Sequence, residues 1–227
     1  RLKRTMMIAI VGGLAGLLQT GAALAQQEDP IAPFVIDVRG AFMSLDAAGS
    51  AAPLDLEKAQ LPSNGLGIEV GAHVYPLRGR VVSLGVGASL LFVRSSKAPE
   101  VPDVPEGEDP PPVDPNDPTV RTRIKGFTPQ VSLNFGSRRG YSYLSGGIGT
   151  MTRAIDATEG VLLDEVTGDT RARTLNYGGG ARWFVSSRVA FSFDLRFYRV
   201  AAQEATISSV SLPQQRFFVG SVGISIH

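Results

Sequence analysis

From residue 34 onward, apolar and polar residues alternate in segment after segment. Phe34, Ile36, Val38 and Phe42 fall on one side, with Asp37 and Arg39 on the other. Leu66, Ile68, Val70, Ala72 and Val74 oppose Gly67, Glu69, Gly71 and His73. Val82, Leu84, Val86, Ala88, Leu90 and Phe92 oppose Ser83, Gly85, Gly87 and Ser89. Phe127, Pro129, Val131, Leu133 and Phe135 oppose Thr128, Gln130, Ser132 and Asn134. The same rhythm runs weakly through 143–149, then strongly through 175–185 and 189–198. A last segment, 215–226, has apolar residues in both phases and leaves its orientation open. A period of two is the signature of a strand with two different faces, not of a helix. Eight strands are predicted. Pro129 is the one internal irregularity, because proline cannot donate to a ladder.

The connections alternate in length. Long ones occupy 46–62, 96–120, 154–170 and 202–213, and short ones 76–80, 136–140 and 185–188. Both ends of the strand array and all short turns therefore fall on one side. Short turns on one side and long loops on the other is the layout of a transmembrane β-barrel. The apolar stretches are about nine to eleven residues long, the length of a tilted membrane strand. A soluble barrel with its apolar face inward also alternates. Here the less apolar face is mostly Gly, Ser, Thr and Asn, which favours apolar-out. Phe42, Phe92, Phe127 and Phe197 would mark one membrane rim, and Phe34, Phe135 and Trp183 the other.

The first residues read differently. Arg1, Lys3 and Arg4 precede an apolar run, 6–18, and Ala23-Leu24-Ala25 is a small-x-small cleavage site before Gln26. That is the organisation of a secretory signal. The run is shorter than the ~20 residues a membrane anchor needs. The expected organisation is a cleavable signal peptide at 1–25, a short periplasmic leader at 26–33, and the barrel at 34–227. The fold class is all-β, an eight-stranded antiparallel transmembrane β-barrel.

Composition narrows the chemistry. There is no cysteine, so no disulfide framework or thiolate metal site is expected. With Arg1, Lys3 and Arg4 set aside, 19 basic residues face 21 acidic ones, a balance of −2. This is not the charge of a nucleic-acid binder. Six charges take the inward phase: Asp37, Arg39, Glu69, Arg182, Asp194 and Arg196. An eight-stranded barrel is just wide enough for side chains to fill it, and isolated charges there are costly, so they should pair. They would form a structural plug, or else a gate for a small solute. Seven other cations continue the outward phase at the long-loop ends of strands: Arg94, Arg121, Arg123, Lys125, Arg171, Arg173 and Arg199. They are expected either to bind lipopolysaccharide phosphates or to pair with acidic loops. The loop 96–120 carries eight prolines among Asp and Glu. It should be extended and solvated, and it lacks the spacing of a calcium loop.

The segments 175–185 and 188–198 (Leu-Asn-Tyr-Gly-Gly-Gly-Ala-Arg-Trp-Phe-Val, then Arg-Val-Ala-Phe-Ser-Phe-Asp-Leu-Arg-Phe-Tyr) resemble the outer-membrane β-barrel domain family of OmpA-like and OmpX-like small barrels. The resemblance covers roughly 34–226. It implies an outer-membrane location, contact with membrane lipid and lipopolysaccharide, and delivery by the barrel-insertion machinery. Such barrels end in an aromatic residue. This chain has Ile226-His227, so either a chain cut short or a degenerate terminal signal is expected. No periplasmic domain and no peptidoglycan-binding module is expected, and a closed barrel has no edge that demands a partner, so a monomer is. Enzyme readings are thin. The only histidines are His73 and His227, and His73 has the inward phase, away from any lipid substrate. Gly178-Gly179-Gly180 is not followed by a helix, so it is no phosphate loop. No enzyme activity and no cofactor are expected. The leading reading is a structural or surface-interaction barrel. A narrow channel for small or hydrophobic solutes is the second, and a lipid-modifying enzyme the third.

Overall fold

In a computed structural model, which describes residues 29–51, 58–99, 119–158, 167–204 and 211–227, eight strands close into an antiparallel barrel in chain order. They are β1 (Phe34–Ser44), β2 (Asn64–Arg78), β3 (Val82–Lys97), β4 (Thr119–Ser137), β5 (Gly140–Thr158), β6 (Thr167–Phe184), β7 (Val189–Val200) and β8 (Gln215–Ile226). Each strand pairs with the next, and β8 returns to β1 with Ile224 opposite Val38. Closure satisfies the ladder all the way round, the condition for a sheet to cross lipid. The expected signal segment and most of the Pro-rich loop lie outside the described residues.

The alternation in sequence becomes an inside and an outside. Along β1, exposed and buried residues alternate without exception. Phe34, Val38 and Phe42 are each close to half exposed, while Asp37 is fully buried. The same holds for Ile68, Val86, Leu133, Trp183, Leu195 and Ile224, which are all large, apolar and exposed. A continuous apolar belt of this size is untenable in water and natural in lipid. Pro129 sits on the outer face of β4. Its ladder to β3 is unbroken, opposite Ala88. Toward β5 the paired positions skip from Phe127↔Thr150 to Gln130↔Gly147 with no change of register. The missing N–H therefore costs a local bond, not the strand. At the β4–β5 turn, Gly136 takes φ 135°, where an added Cβ would lie 2.9 Å from Tyr141 Cα. Only glycine fits that turn.

The interior is layered. At the short-turn end, Ile31, Val35, Tyr75, Tyr141 and Tyr143 pack with Phe184, so the leader residue Ile31 tucks under the barrel. Charged and amide side chains fill the middle. Above them comes an apolar layer, including Met43, Leu91, Ile124, Met151, Tyr198 and Phe217. The expectation of an inner face made of small polar residues and a few charges thus holds for only part of the height. The mouth on the long-loop side is covered by the first long connection. Its short helix α1 (Ala47–Ala51) and the turn Lys58–Gln60 bring Ala47 and Leu61 against Val120 and Ile155. Asp46 accepts a bond from Gly49 N at 2.9 Å, which caps α1.

Several expected boundaries move: β2 runs to Arg78, inside the expected turn 76–80; β4 and β5 leave only 138–139 of the expected turn 136–140; and β3 and β4 enter the expected loop 96–120 at Lys97 and Thr119. β5 and β6 run on to Thr158 and from Thr167, into what reads as a long loop in sequence. β3 to β6 are 16, 19, 19 and 18 residues long, against 11 and 12 for β1 and β7. This half of the barrel therefore projects further on the long-loop side.

Candidate functional site

All six inward charges meet in the lumen, each no more than 3% exposed. Arg182 donates to Asp37 through Nε at 2.9 Å and Nη2 at 2.6 Å, a two-pronged pair across the barrel from β6 to β1. Arg39, two residues along β1, also pairs with Asp37 at 2.9 Å and approaches Glu69 at 3.7 Å. Ser225 donates to Asp37 as well, and Ser221 donates to Glu69 at 2.7 Å. On the other wall, Arg196 forks onto Asp194 at 3.1 and 2.9 Å. It also donates to Gln130 (2.6 Å), Asn176 (2.7 Å) and Ser145 (2.8 Å).

Two bridges join the halves. Tyr143 donates to Asp194 at 2.7 Å, and its ring lies 4.3 Å beneath the Arg182 guanidinium. The Gln130 amide nitrogen lies 3.0 Å from His73 Nε2, and His73 Nδ1 is 3.8 Å from Asp37. Every strand except β3 contributes. Arginine suits such a centre because its planar fork serves several acceptors at once. Inward glycines make room for it. A Cβ at Gly180 would lie 2.8 Å from Tyr143 Oη, and one at Gly87 would lie 2.6 Å from His73 Cγ. Three acids and three bases, joined by ion pairs, hydrogen bonds and one cation–π contact, offset the desolvation cost of each.

Sequence reasoning missed several members. Tyr143, Gln130 and Asn176 have the inward phase but carry no charge to draw attention. Arg153 precedes the stretch 154–170 that reads as a long connection, yet it is buried under α1, donating to Ser50 at 3.1 Å and to Gln215 at 2.6 Å. A period-two continuation of β5 from Tyr143 through Met151 would have found it.

The seven outward cations are all exposed. Arg94 is opposite Arg123. Lys125 and Arg171 both neighbour Thr152 on β5. Arg199 lies between Leu175 and a further cation, Arg216, which the sequence reading did not include. Arg94, Arg121 and Arg123 line a shallow depression of about 580 Å³. One acid enters it, Asp156, 2.6 Å from Arg123. The cations thus form one arc from β3 to β8, in which Lys125 and Arg171 flank Thr152.

The His73 ring is buried in the lumen beside Gln130, and His227 packs edge-on against Phe184 at 4.8 Å. Neither has the lipid-facing position a lipid-modifying site needs. Among the described residues, no group of three His, Asp or Glu side chains is arranged to hold a metal.

The solved structure of Neisserial surface protein A has this fold. It aligns with a TM-score of 0.52 at 12% identity, over 86% of this chain and 97% of that one. Ail, the attachment invasion locus protein of Yersinia pestis, aligns with a TM-score of 0.47 at 12% identity, over 88% of this chain and 99% of that one. No protein-family model matches the chain, and no curated protein matches it in sequence. The fold is that of the small eight-stranded outer-membrane barrels. An apolar belt around a polar, side-chain-filled interior is the construction of an outer-membrane protein.

Proposed function

We propose that this barrel is a non-conducting structural and surface-presenting element of the outer membrane. Its lumen is closed by paired charges, and its outward cations grip lipopolysaccharide phosphates. The observation that carries the first part is the Arg182–Asp37 fork across the lumen, sandwiched between a tyrosine layer below and an apolar layer above. A solute would have to break bonds in a low-dielectric interior and then cross Met43, Leu91 and Ile124. Three obstructions in series are more than a gate requires. The long β3 to β6 wall supports a role at the surface, since it carries the cations of β3 and β4 at the long-loop end of the barrel.

The second part rests on the side on which the cations lie. Lipopolysaccharide phosphates present acceptors at the height of the long-loop strand ends, where Arg and Lys make charge-assisted bonds. Two tests follow. Vesicles containing the refolded barrel should exclude small sugars as well as empty vesicles do, and swelling at a porin-like rate would refute the closed lumen. Changing Arg94, Arg121, Arg123, Lys125, Arg171, Arg173 and Arg199 together to Gln should weaken lipopolysaccharide retention. Unchanged retention would refute the contact.

A further inference from the structure

The outer wall of β5, β6 and β7 is not smooth. In the apolar belt it holds a shallow, open concavity of about 790 Å³. Its floor is Gly179, which faces outward and has no side chain. A Cβ there would lie 2.5 Å from the Tyr143 carbonyl oxygen and 3.0 Å from Leu144 Cδ2. Leu144 and Leu195, the two register partners of Gly179, form the side walls. Stacked rings close both ends. Tyr177 lies over Phe197 at 5.6 Å on the long-loop side, and Trp183 over Phe193 at 5.6 Å on the short-turn side. Tyr177 and Trp183 are six residues apart, so the groove is about 20 Å long between them. Directly above the upper stack stand cations on the same outward stripes: Arg199, opposite Leu175, and Arg173, two residues before it.

We propose that this face holds one molecule of lipid A, the lipid anchor of lipopolysaccharide. Its phosphate is bound by Arg173 and Arg199, and one acyl chain lies in the groove over Gly179. The proposal deepens the reading of the outward cations as phosphate ligands and rests on it. A void against the barrel forfeits dispersion contacts, and at this depth only an acyl chain or another protein can fill it. A second copy is the poorer occupant. A two-fold contact places the same patch on both subunits, so Arg173 and Arg199 of one copy would face those of the other. A phosphorylated lipid instead brings the opposite charge to the cations and a chain to the groove in a single molecule.

The test is native mass spectrometry of the full barrel, with lipid A as the probe and a dephosphorylated form as the comparison. Ser142→Phe puts a ring into the lower groove from an exposed position, and Leu144→Trp does so from the wall if the first variant fails to fold. Heat-modifiable migration establishes folding in each. The proposal predicts at least about tenfold weaker lipid A binding for Arg173→Gln with Arg199→Gln, the loss expected of one charge-assisted bond, and a loss of similar size for either groove variant, whose ring occupies the place of the acyl chain. It also predicts weak binding of the dephosphorylated form. Arg80→Gln, an exposed change in the short turn between β2 and β3, serves as the control and should leave lipid A binding unchanged. Unchanged binding in both groove variants would overturn the proposal while leaving the phosphate reading standing, provided the arginine variants still weaken binding. No loss in any variant would overturn both. A wild-type dimer cross-linked across Gly179 would assign the groove to a second copy and overturn it too.

Discussion

Arg182→Met removes the centre of the lumen and tests the energetics directly. The guanidinium is 1% exposed, forks onto Asp37 at 2.9 and 2.6 Å, and covers the Tyr143 ring at 4.3 Å. Methionine keeps most of the volume and removes the charge. Breaking a buried pair by deleting one partner costs roughly 3–5 kcal/mol, because the other charge is left uncompensated. Asp37 keeps Arg39 at 2.9 Å and Ser225, so the lower end, about 3 kcal/mol, is expected. Adding Asp37→Asn removes the stranded charge. The double variant should therefore be less destabilised than the sum of the two single changes, by about 1–3 kcal/mol of coupling. The assay is reversible urea unfolding in lipid vesicles. It is followed by fluorescence of Trp183, the only tryptophan, which faces outward. Arg171→Gln, an exposed change, serves as the control and should stay within about 0.5 kcal/mol of wild type. An Arg182→Met barrel as stable as that control, or strict additivity in the cycle, would refute the claim that the lumen charges act as one paired network.

Further expectations follow from the same geometry. Tyr143→Phe leaves the ring under Arg182 but deletes the 2.7 Å bond to Asp194. It should cost about 1–2 kcal/mol in the same urea assay, and no loss would mean that the hydroxyl does not couple the two halves. Val222→Arg places a charge at an exposed position within the apolar belt. It should destabilise the barrel by about 2–4 kcal/mol in vesicles, whereas a neutral effect there would argue against lipid around β8. Asp156→Asn breaks a pair whose partners are 54% and 38% exposed. Stability should change by less than about 1 kcal/mol, and a larger loss in the same assay would mean the pair is structural.

Much of the architecture was legible because the barrel imposes one simple rule on every strand. Lipid outside and a narrow polar core inside demand opposite residues at successive positions, so Ile36-Asp37-Val38-Arg39 reads directly as out, in, out, in. The rule fails where both faces are apolar. In Leu90-Leu91-Phe92-Val93 the alternation disappears, although Leu91 and Val93 are buried and Leu90 and Phe92 exposed, and the inner apolar layer was hidden for that reason. Phe217-Phe218-Val219 left the phase of β8 open for the same cause, and pairing with β1, Phe218 opposite Ser44, resolves it. Strands that rise above the membrane lose the pattern altogether. Residues 154–158 and 167–170 carry no apolar–polar alternation, so they read as loop even though they belong to β5 and β6. The lumen charges could be named, since each has the inward phase. Their partners could not be, because Asp37 and Arg182 lie on strands that are not neighbours and meet only through closure.

The closed lumen is tested most directly by recording current across a planar bilayer containing the refolded, heat-modifiable barrel. The account predicts a silent membrane at potentials at which porins conduct, in wild type and in Tyr143→Phe alike. Reproducible conductance steps in the wild-type barrel that change when Arg182 or Asp194 is neutralised would contradict it. They would make the charge network the gate of a channel.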